Sequence, residues 1–181
     1  IGINKIKYLI LTHGDFDHMG EGVNLINNFK VENVILNCGE FNTLETNLLK
    51  FLKEKNIKYY SCINNIKTSD FTLNFLNTKK YNNENDNSSV IYFDYNSYKF
   101  LFMADASKKV EENILNKYDL DKVDFLKVGH HGSNTSTSEK FVSKISPKYS
   151  VISVGKNNRY GHPNKEVLNS LTSSKIYRTE I

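Results

Sequence analysis

Apolar positions along the chain form short β-branched runs and longer stretches with one apolar face, a mixture typical of α/β proteins. In the first half, the runs at residues 6–12, 34–36, 57–60 and 70–77 predict strands. Residues 23–29 predict a short helix, and Thr43 is expected to cap a second helix whose apolar residues lie between positions 44 and 52. The Asn-rich residues 79–87 predict a loop.

The second half continues this alternation. Residues 90–93 and 100–103 flank Tyr95-Asn96-Ser97-Tyr98 and predict a hairpin. Residues 107–118 predict an amphipathic helix, and Ser136 with Glu139 predicts a capping box that opens a helix ending at Ile145. Further strands are expected at 123–128, 151–154 and 176–177, and a helix at 164–171. No repeat or linker interrupts the pattern, so we expect one α/β domain with mixed strands over residues 1–181.

Polar side chains that can bind metal follow the predicted strands. His13-Gly14-Asp15-Phe16-Asp17-His18 comes directly after the first strand, and Asp105, the His130-His131 pair and His162 follow three later strands. All five histidines thus lie just beyond strands, and none lies inside a predicted strand or helix. Ligands of α/β sheets gather at the carboxyl ends of strands. We therefore expect one site assembled from four loops, rather than a solvated acidic turn and scattered surface histidines.

Composition narrows the function classes. A chain of 181 residues with 39% hydrophobic residues is globular rather than disordered, and no apolar run approaches a membrane span. The net charge of +4 is weak evidence for nucleic-acid binding, because 22 of the 24 basic residues are Lys and phosphate-binding surfaces are usually richer in Arg. Cys38 and Cys62 have no CxxC spacing, so we expect two buried thiols rather than a disulfide or a zinc site.

The motifs resemble those of the metallo-β-lactamase superfamily. His13-x-Asp15-x-Asp17-His18 is similar to its HxHxDH signature, and Ala104-Asp105 is similar to its Gly-Asp bridging position. The resemblance is closer to the nuclease-like domain of ComEC-type competence proteins, which import DNA, because residues 126–133 (LKVGHHGS) and Gly161-His162-Pro163 also match that branch. This resemblance implies an αββα sandwich.

The resemblance also implies a centre of two divalent metal ions. His13 and Asp15 would bind the first ion. Asp17, His18 and His162 would bind the second ion, and Asp105 would bridge the two. An alternative takes His131 as a metal ligand. Asp15 stands where the family has a histidine, and no histidine occurs between His18 and His130 to supply another ligand. Hard oxygen donors shift the preferred ion from zinc toward manganese or magnesium.

Such a centre suits phosphodiester hydrolysis, because two ions about 3.5–4 Å apart hold the attacking and leaving oxygens and lower the pKa of a bridging water. Asp17, His130 and His131 are the expected catalytic residues, the histidines binding phosphate or protonating the leaving oxygen. Gly132, Ser133 and Thr135 are the expected substrate contacts. The alternative for His130 and His131 is a structural pair in a loop. Arg159 and Tyr160 could pair with or stack on nucleic acid, but a solvated Arg and a packed Tyr explain them equally well.

Two features depart from the family. Ala104 replaces the usual Gly, which is tolerable if its φ angle is negative. The chain also begins, at Ile1, in the strand that leads to the first motif. We therefore expect about 50 or more residues of the parent fold, including its N-terminal strands, to be missing. One sheet edge would then be exposed.

The leading prediction is a metal-dependent phosphodiesterase, a nuclease acting on single-stranded DNA during competence. Its partners would be nucleic acid or another phosphodiester and a membrane-channel domain of the parent chain, with no protein partner expected. The domain would then be membrane-tethered outside the cytoplasmic membrane, and otherwise cytoplasmic. One alternative is a hydrolase of the same fold acting on another ester, an amide or a β-lactam. The other is a degenerate, non-catalytic domain.

Overall fold

A computed structural model describes residues 2–120 and 122–181, and Ile1 and Asp121 lie outside the described residues. The chain divides into two compact units that alternate along the sequence. The first unit comprises the residues up to Ile63 together with Thr78–Ser89, and the second comprises Asn64–Asn77 together with Val90–Ile181. A single domain over residues 1–181 stays a prediction.

The first unit is built on a parallel three-stranded sheet in the order β1-β2-β3. Its strands and helices are β1 (Lys5–Ile10), α1 (Phe16–Met19), α2 (Gly22–Asn28), β2 (Lys30–Leu36), α3 (Thr43–Glu54) and β3 (Lys58–Ser61). Val34 and Leu36 of β2 pack in one buried cluster with Leu48 and Leu52 of α3, each at most 3% exposed. This packing of a helix on a parallel sheet agrees with the alternation of strands and helices that the sequence pattern predicts.

Helix α3 begins one residue earlier than predicted. The side chain of Asn42, not Thr43, accepts hydrogen bonds from the N–H groups of Leu44 and Glu45. The Glu45 carboxylate in turn accepts a hydrogen bond from the Asn42 N–H, which completes a capping box. The prediction of Thr43 as the cap is therefore wrong, because Asn is as good a cap and Glu45 is correctly spaced for position 42.

Cys38 and Cys62 form a disulfide bond. The expectation of two buried thiols is therefore wrong, and Cys62 is exposed. Cys38 follows β2 and Cys62 follows β3, and these strands are parallel neighbours in which Leu36 pairs with Ser61. The residues just beyond the paired ends are thus brought together by sheet register, which the linear spacing of the cysteines does not reveal.

The second unit contains a mixed seven-stranded sheet in the order β10-β9-β8-β7-β6-β5-β4. Its strands are β4 (Asn65–Lys67), β5 (Thr72–Phe75), β6 (Ile91–Tyr95), β7 (Tyr98–Phe102), β8 (Phe125–Lys127), β9 (Tyr149–Ile152) and β10 (Lys175–Arg178). Strands β4 to β7 pair antiparallel, and β7 to β10 pair parallel. The helices are α4 (Lys108–Lys117), α5 (Glu139–Ile145) and α6 (Lys165–Ser170). Strand β4 was not predicted.

Two local predictions in this unit have different outcomes. The predicted hairpin is confirmed: Tyr95 pairs with Tyr98, and Asn96 and Ser97 both have positive φ, as a tight two-residue turn requires. The predicted cap of α5 is wrong, since Ser138 accepts the hydrogen bond from the Phe141 N–H.

In the described residues no helix has the length and apolar character needed to cross a membrane.

One face of the seven-stranded sheet carries a ladder of aromatic rings. Neighbouring rings of Phe93, Phe100, Phe125 and Tyr149 are 4.8, 4.9 and 5.0 Å apart between centroids, with interplanar angles of 6°, 8° and 22°. This spacing equals the separation of adjacent strands, about 4.7–4.9 Å. The inner rings therefore cover one another's faces and leave their edges outward, so they do not provide the open faces that base stacking needs.

Candidate functional site

In the second unit, three loops with predicted site residues meet at one edge of the sheet. Asp105 follows β7, His130 and His131 follow β8, and His162 follows β9, and these three strands are parallel neighbours. Oδ2 of Asp105 lies 3.6 Å from Nε2 of His130 and 3.7 Å from Nε2 of His131. The rings of His130 and His162 are 6.0 Å apart. The prediction that these residues gather at strand ends is thus confirmed within this unit.

Both histidines of the pair are oriented through Nδ1. Nδ1 of His131 lies 2.7 Å from the carbonyl oxygen of Ser153, and Nδ1 of His130 lies 3.0 Å from the Thr135 hydroxyl oxygen. A carbonyl oxygen can only accept, so His131 must carry its proton on Nδ1 in this contact. Its Nε2 then carries a lone pair, which can bind a metal ion or accept a proton. Both assignments of His131, as catalytic residue and as metal ligand, stay open.

The backbone beneath these side chains is strained. Ala104, His130 and His131 have φ angles of +47°, +45° and +54°, in the left-handed region. The condition under which Ala104 would be tolerable, a negative φ, is therefore not met. A non-glycine residue in this region costs about 1–2 kcal/mol. The Ala104 carbonyl accepts a hydrogen bond from the His130 N–H at 2.8 Å, which ties the loop of Asp105 to the loop of the two histidines.

The predicted substrate contacts also have roles within the loop. Gly132 has φ +83°, and an added Cβ would lie 2.5 Å from Cβ of Pro163, so this position requires glycine. The Ser133 hydroxyl is buried and lies 3.0 Å from the hydroxyl of Thr135, which itself contacts His130. Substrate binding by these residues stays a prediction, whereas the contact of Thr135 with His130 is observed.

His162 is held by its own loop. The Asn158 side chain accepts a hydrogen bond from the His162 N–H and donates one to the His162 carbonyl, at 2.9 and 2.7 Å. The Tyr160 ring stacks on the His162 ring at 5.8 Å, and Arg159 lies over Tyr160. Burial lowers the pKa of His162, and His130 and His131 lower it further. A neutral imidazole is the form that binds metal.

Lys127 is a candidate that sequence reasoning missed. It lies at the end of β8, and burial lowers its pKa while the charge of Asp105 opposes that shift. A half-buried cation near a carboxylate in a candidate site can attract or hold an anionic substrate. The available signal was a lysine between apolar residues at the end of a strand.

In the first unit, the motif residues form two matched donor pairs. Nε2 of His13 lies 3.6 Å from Oδ2 of Asp15, and Nε2 of His18 lies 3.8 Å from Oδ2 of Asp17. The two imidazole rings are 4.2 Å apart between centroids. His18 lies on the short helix α1, which the sequence pattern did not predict. The helix begins directly after Asp15 and so turns His18 back toward His13.

The loop between His13 and Asp15 is clamped from outside the motif. The Gly14 N–H donates to Oε1 of Glu84 at 2.6 Å, and the Gly14 carbonyl accepts from the Asn42 side chain at 2.8 Å. An added Cβ at Gly14 would lie 2.7 Å from Oε2 of Glu45, so the Glu45 side chain would have to shift to admit a larger residue. Burial, reinforced by the charges of Glu84 and Asp15, raises the pKa of Glu45 to about 7.

Hydroxyl groups contact the far side of the motif imidazoles. Oγ1 of Thr12 lies 3.2 Å from Nδ1 of His13 and 3.3 Å from Nδ1 of His18. Oγ of Ser88 lies 3.3 Å from Nδ1 of His13. Sequence reasoning missed both, and only Thr12, directly before the motif, offered a signal.

The donor pairs fit divalent metal ions. Their nitrogen–oxygen separations of 3.6–3.8 Å exceed hydrogen-bond length. Two ligands about 2.0–2.2 Å from one ion, at tetrahedral or wider angles, are separated by roughly this amount. Imidazole nitrogen and carboxylate oxygen suit zinc, manganese and related ions. That the donors of the two units act as one centre stays a prediction.

Comparison with known proteins identifies the fold. A family model described as the metallo-beta-lactamase superfamily matches residues 1–37. The crystal structure of the metallo-beta-lactamase fold protein YhfI from Bacillus subtilis aligns with a TM-score of 0.59, covering 96% of this chain and 75% of that chain at 9% identity. The chain has the metallo-β-lactamase fold. Proteins of this fold typically bind divalent metals, which agrees with the donor pairs.

Sequence relatives add the biological setting. The chain is 32% identical over 186 residues to ComE operon protein 3 of Bacillus subtilis, covering 99% of this chain and 24% of the relative. It is 29% identical to competence protein ComA of Neisseria gonorrhoeae, covering 99% and 25%. The chain spans about a quarter of the length of these relatives. The predicted resemblance to ComEC-type competence proteins is therefore confirmed.

Proposed function

We propose that this metallo-β-lactamase-fold chain is a metal-dependent phosphodiesterase that cleaves single-stranded DNA. The observation that carries the proposal is the repeated pairing of an imidazole Nε2 with a carboxylate oxygen at 3.6–3.8 Å after strands of both sheets. The Nδ1 atoms of these imidazoles contact hydroxyl or carbonyl oxygens, which orients Nε2 for ligation.

The proposed ligands are those that the family resemblance implies: His13, Asp15, Asp17, His18, Asp105 and His162. When bound, divalent ions supply a water of lowered pKa and positive charge for a phosphodiester oxygen. His130 and His131 bind the phosphate or protonate the leaving oxygen. Lys127 adds a fixed cation near Asp105, which favours an anionic substrate over a neutral ester.

DNA as the substrate is supported by the relatives, two of which are named for competence or the competence operon. Their greater length supports a parent chain with further domains, among which the family resemblance implies a membrane channel. The Cys38–Cys62 disulfide supports a location outside the cytoplasmic membrane, since disulfides persist in oxidising compartments.

A substrate panel tests the proposal. With Mn²⁺ added, the chain and its parent protein are incubated with single-stranded DNA, double-stranded DNA, a chromogenic phosphodiester and a chromogenic β-lactam. Cleavage of single-stranded DNA is expected, and Asp17→Ala should abolish it, while Asp70→Ala, at an exposed aspartate in the other unit, should leave it unchanged. Activity that persists in Asp17→Ala, or that appears only on the β-lactam, contradicts the proposal.

The second candidate is a non-catalytic domain that has lost its metal. It is favoured by Ala104, which holds a strained φ of +47° where the resemblance expects Gly. Metal analysis of protein purified without chelator separates the two functions. Less than one divalent ion per ten chains, with no binding of added Mn²⁺, would favour the non-catalytic domain.

A further inference from the structure

A single hydroxyl group contacts both imidazoles of the first-unit motif. Oγ1 of Thr12 lies 3.2 and 3.3 Å from the Nδ1 atoms of His13 and His18. The opposite nitrogen of each ring, Nε2, lies 3.6 and 3.8 Å from a carboxylate oxygen of Asp15 and Asp17. Both rings are thus held between the same hydroxyl on one side and an acidic side chain on the other.

The chemistry of a hydroxyl decides what this arrangement can do. A threonine hydroxyl has one proton to donate and two lone pairs with which to accept. The hydroxyl can donate to only one of the two Nδ1 atoms. If it is hydrogen-bonded to both, the other Nδ1 must be the donor and so carries a proton. When both Nε2 atoms are metal ligands, both Nδ1 atoms carry protons, and the two lone pairs of Thr12 can accept from both rings at once.

We propose that Thr12 is a shared positioning residue, whose hydroxyl sets the orientation and tautomer of both His13 and His18 so that both Nε2 atoms face a divalent metal ion. The inference rests on the proposed metal-dependent function and adds to it a residue outside the ligand set. Groups that orient metal ligands typically contribute about 10–100-fold in metal affinity.

The local fold does not depend on this hydroxyl. The Thr12 carbonyl accepts a hydrogen bond from the Ser89 N–H at 2.8 Å, and this main-chain contact survives any side-chain substitution. Ser88 provides a comparison, because its hydroxyl lies 3.3 Å from Nδ1 of His13. Removing the Ser88 hydroxyl should disturb the His13 ring, and removing the Thr12 hydroxyl should disturb both rings.

The experiment measures Mn²⁺ affinity by titration calorimetry on the 181-residue chain and on four variants. Thr12→Val keeps the side-chain shape without the hydroxyl, and Thr12→Ser keeps the hydroxyl. Ser88→Ala removes the neighbouring hydroxyl, and Thr46→Val makes the same exchange at an exposed position of α3. Thermal unfolding of each metal-free variant confirms that it is folded. Nitrogen-15 NMR of the imidazoles reports the tautomers of His13 and His18.

Thr12→Val is expected to weaken Mn²⁺ binding by about 10–100-fold and to change the Nδ1 protonation of both rings. Thr12→Ser and Thr46→Val should bind like the original chain, and Ser88→Ala should change the tautomer of His13. Equal affinity of Thr12→Val and the original chain overturns the proposal. A Thr12→Ser variant as weak as Thr12→Val also overturns it. If the original chain binds no Mn²⁺, the proposed function fails, and unchanged tautomers in Thr12→Val would then refute the positioning role separately.

Discussion

Nδ1 of His131 donates a hydrogen bond to the main-chain carbonyl of Ser153 across 2.7 Å. Because the acceptor is main chain, the tautomer of His131 is set by the sheet end itself, where Ser153 follows β9. His130 differs, since its Nδ1 contacts the side-chain hydroxyl of Thr135 at 3.0 Å, which can donate or accept. The tautomer of His131 is therefore fixed by the main chain, whereas the tautomer of His130 depends on the orientation of a side-chain hydroxyl.

This difference leads to a prediction about hydrolysis rates when His131 itself, or the residue that orients His130, is replaced. His131→Ala should lower phosphodiester hydrolysis by about 10²–10⁴-fold, the usual contribution of a general acid or base. Thr135→Val should have a smaller effect, because it removes only the orienting contact of His130. Initial rates on a chromogenic phosphodiester measure both. Rates in His131→Ala within threefold of the original chain would contradict the catalytic and ligand assignments alike.

The left-handed backbone at Ala104 predicts a stabilising substitution. Ala104→Gly removes the steric cost of φ +47° in the folded chain. It also raises the conformational entropy of the unfolded chain, which offsets part of the gain. The net expected increase in unfolding free energy is about 0.5–1 kcal/mol. Ala106, two residues later and fully buried, is the control. Ala106→Gly should destabilise the chain by about 0.5–1 kcal/mol, because glycine loses more conformational entropy on folding than alanine. Urea unfolding of metal-free protein measures both, and a loss of stability in Ala104→Gly would show that the strain argument is wrong.

The same residues show how far sequence alone reaches. The placement of Asp105, His130 and His162 was predictable, because each follows an apolar strand and parallel neighbouring strands end at one edge. The Cys38–Cys62 disulfide was not, because it depends on the pairing register of β2 and β3.

Residues that support the site were also beyond prediction. Glu84 contacts Gly14, and Ser88 contacts His13, across separations of 70 and 75 residues. Glu84 lies in the Asn-rich stretch at residues 79–87, which contains a short 3-10 helix at Asn85–Asn87, and Ser88 directly follows that stretch. The polar composition of this segment does not show which residue points at the motif. Supporting contacts of this kind depend on tertiary structure rather than on local pattern.

The disulfide predicts sensitivity to reduction. It closes a loop across 24 residues, from the end of β2 to the end of β3, and the chain-entropy estimate for a loop of this length is about 3 kcal/mol. Thermal unfolding with and without a reducing agent should show a lower midpoint for the reduced chain. The double variant Cys38→Ser, Cys62→Ser should unfold near the reduced midpoint and ignore the reductant. An unchanged midpoint on reduction of the original chain would contradict the prediction.

The buried carboxyl of Glu45 predicts a pH dependence of stability. Its pKa is raised from 4.5 to about 7, chiefly by burial, with Glu84 and Asp15 adding repulsion. Between these two pKa values the folded chain holds a proton that the unfolded chain has released. The contribution of Glu45 to unfolding free energy therefore falls as pH rises from about 4.5 to about 7 and is constant above.

At about 1.4 kcal/mol per pKa unit, the full decrease is on the order of 3 kcal/mol. Urea unfolding of metal-free protein between pH 5 and 8 should show this fall in the original chain and a shallower slope in Glu45→Gln. Glu40→Gln is the control, because hydrogen bonding to Lys80 lowers the pKa of Glu40, the opposite direction, at an exposed position. That variant should retain the slope of the original chain. Parallel profiles for the original chain and Glu45→Gln would show that Glu45 is ionised in the folded state, and the clamp around Gly14 would then hold a charged carboxylate.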